Sequence, residues 1–115
     1  MLARTGLATI TIVIFTSGNG PEVVKVTIGA YERIQRYGYT NIDGLRGAKR
    51  DAWEGGHRVA FLARGHGHIP AGKVSDETSC HVDLMATCAT LLGANLPPDA
   101  GEDSYNILPA LLGEK

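Results

Sequence analysis

Residues 8–21 read Ala-Thr-Ile-Thr-Ile-Val-Ile-Phe-Thr-Ser-Gly-Asn-Gly-Pro, an apolar, β-branched run that opens into a polar loop. Nearly continuous apolar character is typical of a strand that is buried on both faces, as in a parallel sheet covered by helices. Ligands bind in the loops at the carboxyl ends of such strands, so the loop around Asn19 is a candidate site. The stretch therefore predicts an α/β fold with a strand over Ala8–Thr16, central around residues 10–16.

A second apolar run and a helical pattern extend this architecture. Arg58–Ala63 is apolar enough to form a second central strand. In His81–Leu92, apolar residues recur at the spacing of one helix face. The residues on that face are Val82, Met85, Ala89 and Leu92. We expect this helix to pack across the two strands, with Thr78 or Ser79 as its N-cap and Gly93 at its end.

The remaining segments are shorter and less regular. Val23–Ile28 alternates loosely and is compatible with a short strand, whereas Tyr31–Tyr37 and Ile107–Leu112 favour short helices. Strands interleaved with helices predict an α/β fold with mostly parallel strands and packed helices. The length predicts a single domain over residues 1–115.

Composition excludes several classes of function. The net charge of −1 and the interspersed charges give no indication of a nucleic-acid partner. The run Ile10–Phe15 is too short to span a membrane and lacks the cleavage site of a signal peptide. Cys80 and Cys88 are too far apart on one helix for a disulfide, so we expect both to be small buried hydrophobic residues. His66 and His68 on a glycine-rich turn are weak evidence for zinc, because no third or fourth ligand is evident.

Residues 45–59 read Leu-Arg-Gly-Ala-Lys-Arg-Asp-Ala-Trp-Glu-Gly-Gly-His-Arg-Val and combine a basic cluster with a glycine turn. The basic residues of the cluster are Arg46, Lys49, Arg50 and Arg58. The stretch is either a solvated loop or an anion-binding loop, and the sequence motif that flanks the basic residues favours an anion-binding loop. We expect Trp53 to pack the loop against the body of the protein. We expect Glu54, Gly55 and Gly56 to form a turn, in which the glycines permit positive φ angles.

These segments, in this order, resemble the later part of the catalytic domain of type I sulfatases, in the alkaline phosphatase superfamily. In that family the strand typically ends in Ser-Asp-Asn-Gly, and the later loop reads Leu-Arg-Gly-x-Lys followed by Glu-Gly-Gly. Residues 57–72, 81–93 and 104–113 are similar to the strand, helix and short segment that come next. The resemblance implies a partial alkaline-phosphatase-like α/β fold and a sulfate ester as substrate.

The resemblance also implies roles for individual residues. Asn19 stands at a position that binds a divalent cation, usually calcium, and Lys49 at one that contacts the sulfate near the leaving group. Gly18 stands where the family has a metal-binding Asp, so one carboxylate is missing. We therefore expect this chain alone to bind no calcium. The alternative is that the residues from Gly18 to Gly20 form a plain tight turn.

The family's nucleophile is a formylglycine made from the first residue of Cys-x-Pro-x-Arg or Ser-x-Pro-x-Arg. Neither Cys80, followed by His-Val-Asp, nor Cys88, followed by Ala-Thr-Leu, fits that motif. We therefore expect a fragment that is inactive alone and whose partner is a complementary N-terminal sulfatase half. The alternative is a non-catalytic binding module built on a sulfatase scaffold. Family members are often exported from the cell, and the sequence does not indicate the subcellular location of this chain.

Overall fold

The computed structural model describes residues 2–23, 30–38 and 43–114. Contacts divide the chain into two compact units. The first unit comprises Met1–Val13 and Ala63–Lys115, and the second comprises Ile14–Leu62. The single domain over residues 1–115 stays a prediction.

Two strands pair in a two-stranded sheet: β1, Ile12–Thr16, and β2, Phe61–Gly65. Both predicted strands are thus present, although their bounds differ from the prediction. Residues 8–10, predicted as the start of the first strand, lie instead in a turn of 3₁₀-helix, Leu7–Ile10, that follows Gly6, whose φ is 73°. The Thr11 hydroxyl donates to the Leu7 carbonyl at 2.7 Å, and this bond stabilises that turn.

The prediction that the first strand is buried on both faces is wrong. Val13 is exposed, and Phe15 is 65% exposed. In the described part of the chain, the buried hydrophobic residues are Ala48 and Ala89. A strand that is apolar on both faces needs covering elements on both faces, and the described elements do not supply them.

Four α-helices are described, in addition to 3₁₀ turns at Leu2–Thr5 and Leu7–Ile10: α1, Ala30–Tyr37; α2, Glu54–His57; α3, Asp83–Leu92; and α4, Leu108–Leu111. The predicted helices at residues 31–37, 81–92 and 107–112 therefore correspond to α1, α3 and α4. Most of the predicted strand Val23–Ile28 lies outside the described residues. In the described ranges, no helix has both the length and the apolar character needed to cross a bilayer.

Helix α3 begins two residues later than predicted, and Thr78 and Ser79 do not cap it. The carboxylate of Asp83 itself accepts the Cys80 N–H at 2.6 Å, which closes the turn before the helix. Gly93 ends the helix as predicted, with φ at 63° and its N–H directed to the last carbonyls. The helix packs against α4, not across the strands as predicted.

The face of α3 that is buried is not the apolar face. Asp83 is 4% exposed and Thr87 is 1% exposed, whereas Met85 is exposed and Leu92 is 81% exposed. Ala89 is the one member of the predicted core face that is buried. Buried polar groups are stable only when they are hydrogen-bonded, and the C-terminal segment supplies the partners.

Three side chains on this helix and the C-terminal segment form those bonds. The Asp83 carboxylate accepts the Tyr105 N–H at 2.9 Å, and the Thr87 hydroxyl accepts the Ile107 N–H at 3.0 Å. The Ser104 hydroxyl donates to the Val82 carbonyl at 2.7 Å. These bonds fix residues 104–107 along α3.

The two cysteines also differ from their prediction. Cys80 and Cys88 are free thiols, and both are exposed, so they are not buried core residues. Cys80 precedes α3, and Cys88 is an exposed residue within the helix. Two of the three buried residues of this helix, Asp83 and Thr87, are polar instead, and both bond to the C-terminal segment.

Candidate functional site

The loop that follows β1 is held by local hydrogen bonds around Asn19. The Ser17 hydroxyl donates to the Asn19 carbonyl at 3.0 Å, and the Asn19 amide nitrogen donates to the Gly20 carbonyl at 2.8 Å. The Asn19 amide oxygen, an acceptor, is therefore presented on an exposed loop. Gly18 beside it is exposed, and a Cβ atom there would find nothing within 4 Å.

A pair of main-chain hydrogen bonds joins this loop to the basic loop, residues 44–58. The Gly20 N–H donates to the Gly56 carbonyl at 2.8 Å, and the Lys49 N–H donates to the Pro21 carbonyl at 3.0 Å. We call this pair of bonds the clasp. It brings the loop of Asn19 and the loop of Lys49 together within the second unit, and their proposed roles stay predictions.

The glycines at the clasp are required by close approach of the main chain. A Cβ atom at Gly20 would overlap the Gly55 carbonyl oxygen, one at Gly55 would overlap the Gly47 carbonyl oxygen, and one at Gly56 would overlap the Asp51 carbonyl oxygen. Gly55 and Gly56 are buried in α2 and do not have positive φ. The predicted turn is therefore a helical turn in which positive φ is not used, and glycine is required there because no space is left for a Cβ atom.

Within the basic loop, Asp51 fixes the turn that carries Lys49. Its carboxylate accepts the Ala48 N–H at 2.9 Å, while its own N–H donates to the Ala48 carbonyl at 2.9 Å. Ala48 is buried, and Lys49 is half-buried. The main chain around Lys49 is thus fixed on both sides, by Asp51 and by the clasp.

The basic side chains of the loop have different partners. Arg50 pairs with Glu22 at 2.7 Å, and Arg58 lies 3.5 Å from Glu54. The Arg46 guanidinium lies over the Trp53 ring, with its central carbon 3.5 Å from the ring centroid. Trp53 is 50% exposed, so it stacks with Arg46 and does not pack the loop against the body as predicted.

The residues present do not fit a calcium site by themselves. Calcium takes six to eight oxygen ligands, several of them charged. The Asn19 side chain offers one neutral oxygen, and Gly18 has no side chain to offer a carboxylate. Across the described residues, no group of three or more His, Cys, Asp or Glu side chains is placed to hold a metal ion, and this includes His66 and His68.

Three features of this site are not expected from the sequence. They are the Arg50–Glu22 ion pair, the Arg46–Trp53 stack and the steric requirement at Gly20. The stack could have been predicted from one sequence signal, which is an Arg and a Trp on either side of a short turn that contains glycine. The other two features depend on a contact between segments that are distant in sequence.

These features describe a partial α/β scaffold on which main-chain hydrogen bonds join the loop of Asn19 to the loop of Lys49. Comparison with known proteins gives the family. A family model for sulfatases matches residues 1–94. The chain belongs to the sulfatase family.

Individual relatives agree with this assignment. The chain is 38% identical over 113 residues to steryl-sulfatase of Rattus norvegicus, covering 97% of this chain and 18% of that protein. It is 38% identical over 108 residues to human arylsulfatase A, covering 94% of this chain and 19% of that protein. A solved sulfatase structure, from work on glycosaminoglycan metabolism by Bacteroides thetaiotaomicron, matches with a TM-score of 0.86 at 36% identity. That match covers 99% of this chain and 23% of the solved chain.

Proposed function

We propose that this chain supplies the late part of a sulfatase catalytic domain and that sulfate esters are its substrates. The observation that carries the proposal is the clasp, because it holds Lys49 beside the loop of Asn19 in a chain of the sulfatase family. Asn19 is proposed as one ligand of a cation site whose remaining ligands come from outside this sequence.

Lys49 is proposed to contact the ester sulfate and the oxygen of the leaving alcohol. Negative charge develops on that oxygen as the S–O bond breaks, and an ammonium group placed beside it stabilises that charge. The lysine side chain is a compact point charge with three donors, so it can contact a sulfate oxygen and the leaving oxygen together. Its fixed main chain limits the orientational freedom that would otherwise be lost on binding.

We infer that the 115-residue polypeptide does not turn over substrate by itself. It contains no Cys-x-Pro-x-Arg or Ser-x-Pro-x-Arg motif, so no residue in it can become the formylglycine nucleophile. The chain spans about a fifth of the length of the curated relatives that it matches. Activity is therefore proposed to require a complementary N-terminal sulfatase segment, supplied in trans or fused ahead of Met1.

The test is hydrolysis of an aryl sulfate by the chain alone and by the chain combined with such a segment that carries formylglycine. We expect background rates alone and turnover after complementation. Lys49→Ala should then lower kcat/KM about a hundredfold, as loss of a charge-stabilising donor does, and Lys73→Ala should leave it unchanged. Gly18→Asp should raise the activity of the complemented enzyme and should not rescue the chain alone. Turnover by the isolated chain that depends on calcium and on Lys49 would contradict the proposal.

A second candidate function is a non-catalytic binding module that retains the sulfatase scaffold. The observation that favours it is exposed apolar surface on the second unit, where Phe15 is 65% and Leu62 is 63% exposed. The same experiment separates the two functions. A module of this kind would bind the complementary segment and give no turnover, with Gly18 or with Asp at that position.

A further inference from the structure

We propose that Arg46, stacked over Trp53, forms a second oxyanion-binding position in the basic loop. It would take a sulfate or carboxylate group of the substrate other than the ester sulfate that is cleaved. The inference rests on the proposed function and deepens it, because it names the substrate class as sulfate esters that carry a further negative charge.

The geometry of the stack leaves the donors of Arg46 available. The guanidinium carbon lies 3.5 Å from the centroid of the Trp53 ring. A guanidinium that covers an aromatic face still presents its N–H groups at the edge of its own plane, where two oxygens of an oxyanion can bind side by side. The ring also restricts the side-chain rotamers, so less freedom is lost when an anion binds.

The main chain holds the two residues of the stack close together. The Gly55 N–H donates to the Arg46 carbonyl at 2.8 Å. Gly47 has a φ of 87°, and a Cβ atom there would lie 2.8 Å from the Trp53 Cβ. The stack is therefore built on a turn in which Gly47 allows Arg46 and Trp53 to approach.

The distribution of charge distinguishes Arg46 from its neighbours. Arg50 and Arg58 each have a carboxylate partner within the second unit. Over the described ranges, Arg46 and Lys49 are the loop cations that have no ion pair. Two cations on one short turn without carboxylate partners match a ligand with two negative groups, whereas the ester sulfate alone would need only Lys49.

Calorimetric titration of the chain with two probes tests the proposal. The probes are a disaccharide that carries two sulfate groups and the same disaccharide with one. We expect tighter binding of the disulfated probe. Arg46→Gln should weaken it about tenfold, since hydrogen bonds to charged groups are worth about 1.5–3 kcal/mol and 1.4 kcal/mol is tenfold. The same substitution should change the affinity for the monosulfated probe less than twofold.

Arg50→Gln is the matched control, since it removes a cation of the same loop that is already paired. It should change neither affinity more than twofold. Trp53 is the single tryptophan of the chain, so its fluorescence emission reports whether the probe binds beside the stack. The disulfated probe should alter this emission in the wild type and not in Arg46→Gln. Arg46→Lys keeps the charge without the planar fork and should give a partial loss.

Three results would overturn the proposal. They are equal wild-type affinity for the two probes, equal loss of both affinities in Arg46→Gln, and a loss in Arg50→Gln as large as in Arg46→Gln. If Arg46→Gln lowers the helical circular dichroism signal, Arg46→Lys and the wild-type comparison of the two probes decide. Binding needs no turnover, so a failed complementation would refute the proposed function and leave this result standing.

Discussion

Gly18 and Gly20, in the loop that follows β1, have opposite surroundings. A Cβ atom at Gly18 finds nothing within 4 Å, and Gly18 is not among the glycines with positive φ. A Cβ atom at Gly20 would overlap the Gly55 carbonyl oxygen across the clasp. The site therefore accepts a side chain at position 18 and excludes one at position 20.

Substitution at these two positions gives a direct test of the clasp. Gly18→Asp should change the free energy of unfolding by less than about 0.5 kcal/mol, because an exposed position with free space gains no strain. Gly20→Ala should lower it by about 3 kcal/mol, because the new methyl group forces the two loops apart. Urea unfolding of both variants measures the difference. Equal effects would mean that the loops do not approach as closely as the clasp requires.

At the scale of a single element, the Thr87 hydroxyl links α3 to the C-terminal segment. Thr87→Val keeps the shape and leaves the Ile107 N–H without its acceptor, which should cost about 1–3 kcal/mol. Thr90 provides the matched control. Like the Thr87 hydroxyl, its hydroxyl donates to the carbonyl four residues earlier, but the Thr90 hydroxyl is exposed. Thr90→Val should therefore cost less than about 0.5 kcal/mol.

Amide hydrogen exchange reports this effect locally. We expect faster exchange of the Ile107 amide in Thr87→Val and no change there in Thr90→Val. If the Ile107 amide exchanges equally fast in both variants, the bond to Thr87 does not hold the C-terminal segment.

Asp83 makes a second link at the start of the same helix. Its two carboxylate oxygens accept the Cys80 and Tyr105 N–H groups, so Asp83→Asn replaces one acceptor with a donor. A buried N–H group left without its partner costs about 1–3 kcal/mol, and we expect a loss of about 2 kcal/mol. Asp99→Asn, at an exposed position, should be neutral. Urea unfolding measures both, and a neutral Asp83→Asn would contradict the described network.

Helix α3 also shows which part of the fold the sequence could predict. Its existence and its end at Gly93 followed from helical spacing and from the conformational freedom of glycine. Its buried face did not, because apolar spacing alone cannot show that Asp83 and Thr87 have main-chain partners about twenty residues later. The predicted N-caps are wrong because the carboxylate of Asp83, and not Thr78 or Ser79, closes the turn before the helix.

At the scale of the whole molecule, apolar side chains that the sequence pattern assigns to the interior lie at the surface. Phe15, Leu62 and Leu92 are examples. The apolar pattern of β1 correctly predicts a strand. It also predicts packing elements on both faces of that strand, and the described residues do not supply them. For the candidate site, the resemblance assigns roles to Asn19 and Lys49, and these roles stay predictions, whereas the contacts of Glu22 and Trp53 required the structure.

Exposed apolar side chains should make the isolated chain associate with itself. Leu62→Ser should reduce this association in sedimentation velocity while changing the free energy of unfolding by less than about 1 kcal/mol, because little burial is lost. A core leucine would instead cost about 2–5 kcal/mol on truncation. His66→Ser, at an exposed polar position, should leave association unchanged. A loss of several kcal/mol in Leu62→Ser would show that this side chain is buried in solution.

The clasp leaves the length of the segment between Pro21 and Lys49 free to vary. It joins Pro21 to Lys49 and Gly20 to Gly56, so the segment between them, which includes α1, is a loop whose ends are fixed. The entropy lost in closing a flexible loop grows only with the logarithm of its length, and each doubling costs about 0.6 kcal/mol. Insertions between Val23 and Asp43 should therefore be tolerated while Asn19 and Lys49 stay together. Related sequences are therefore free to diversify at this segment without changing the contact between the two loops.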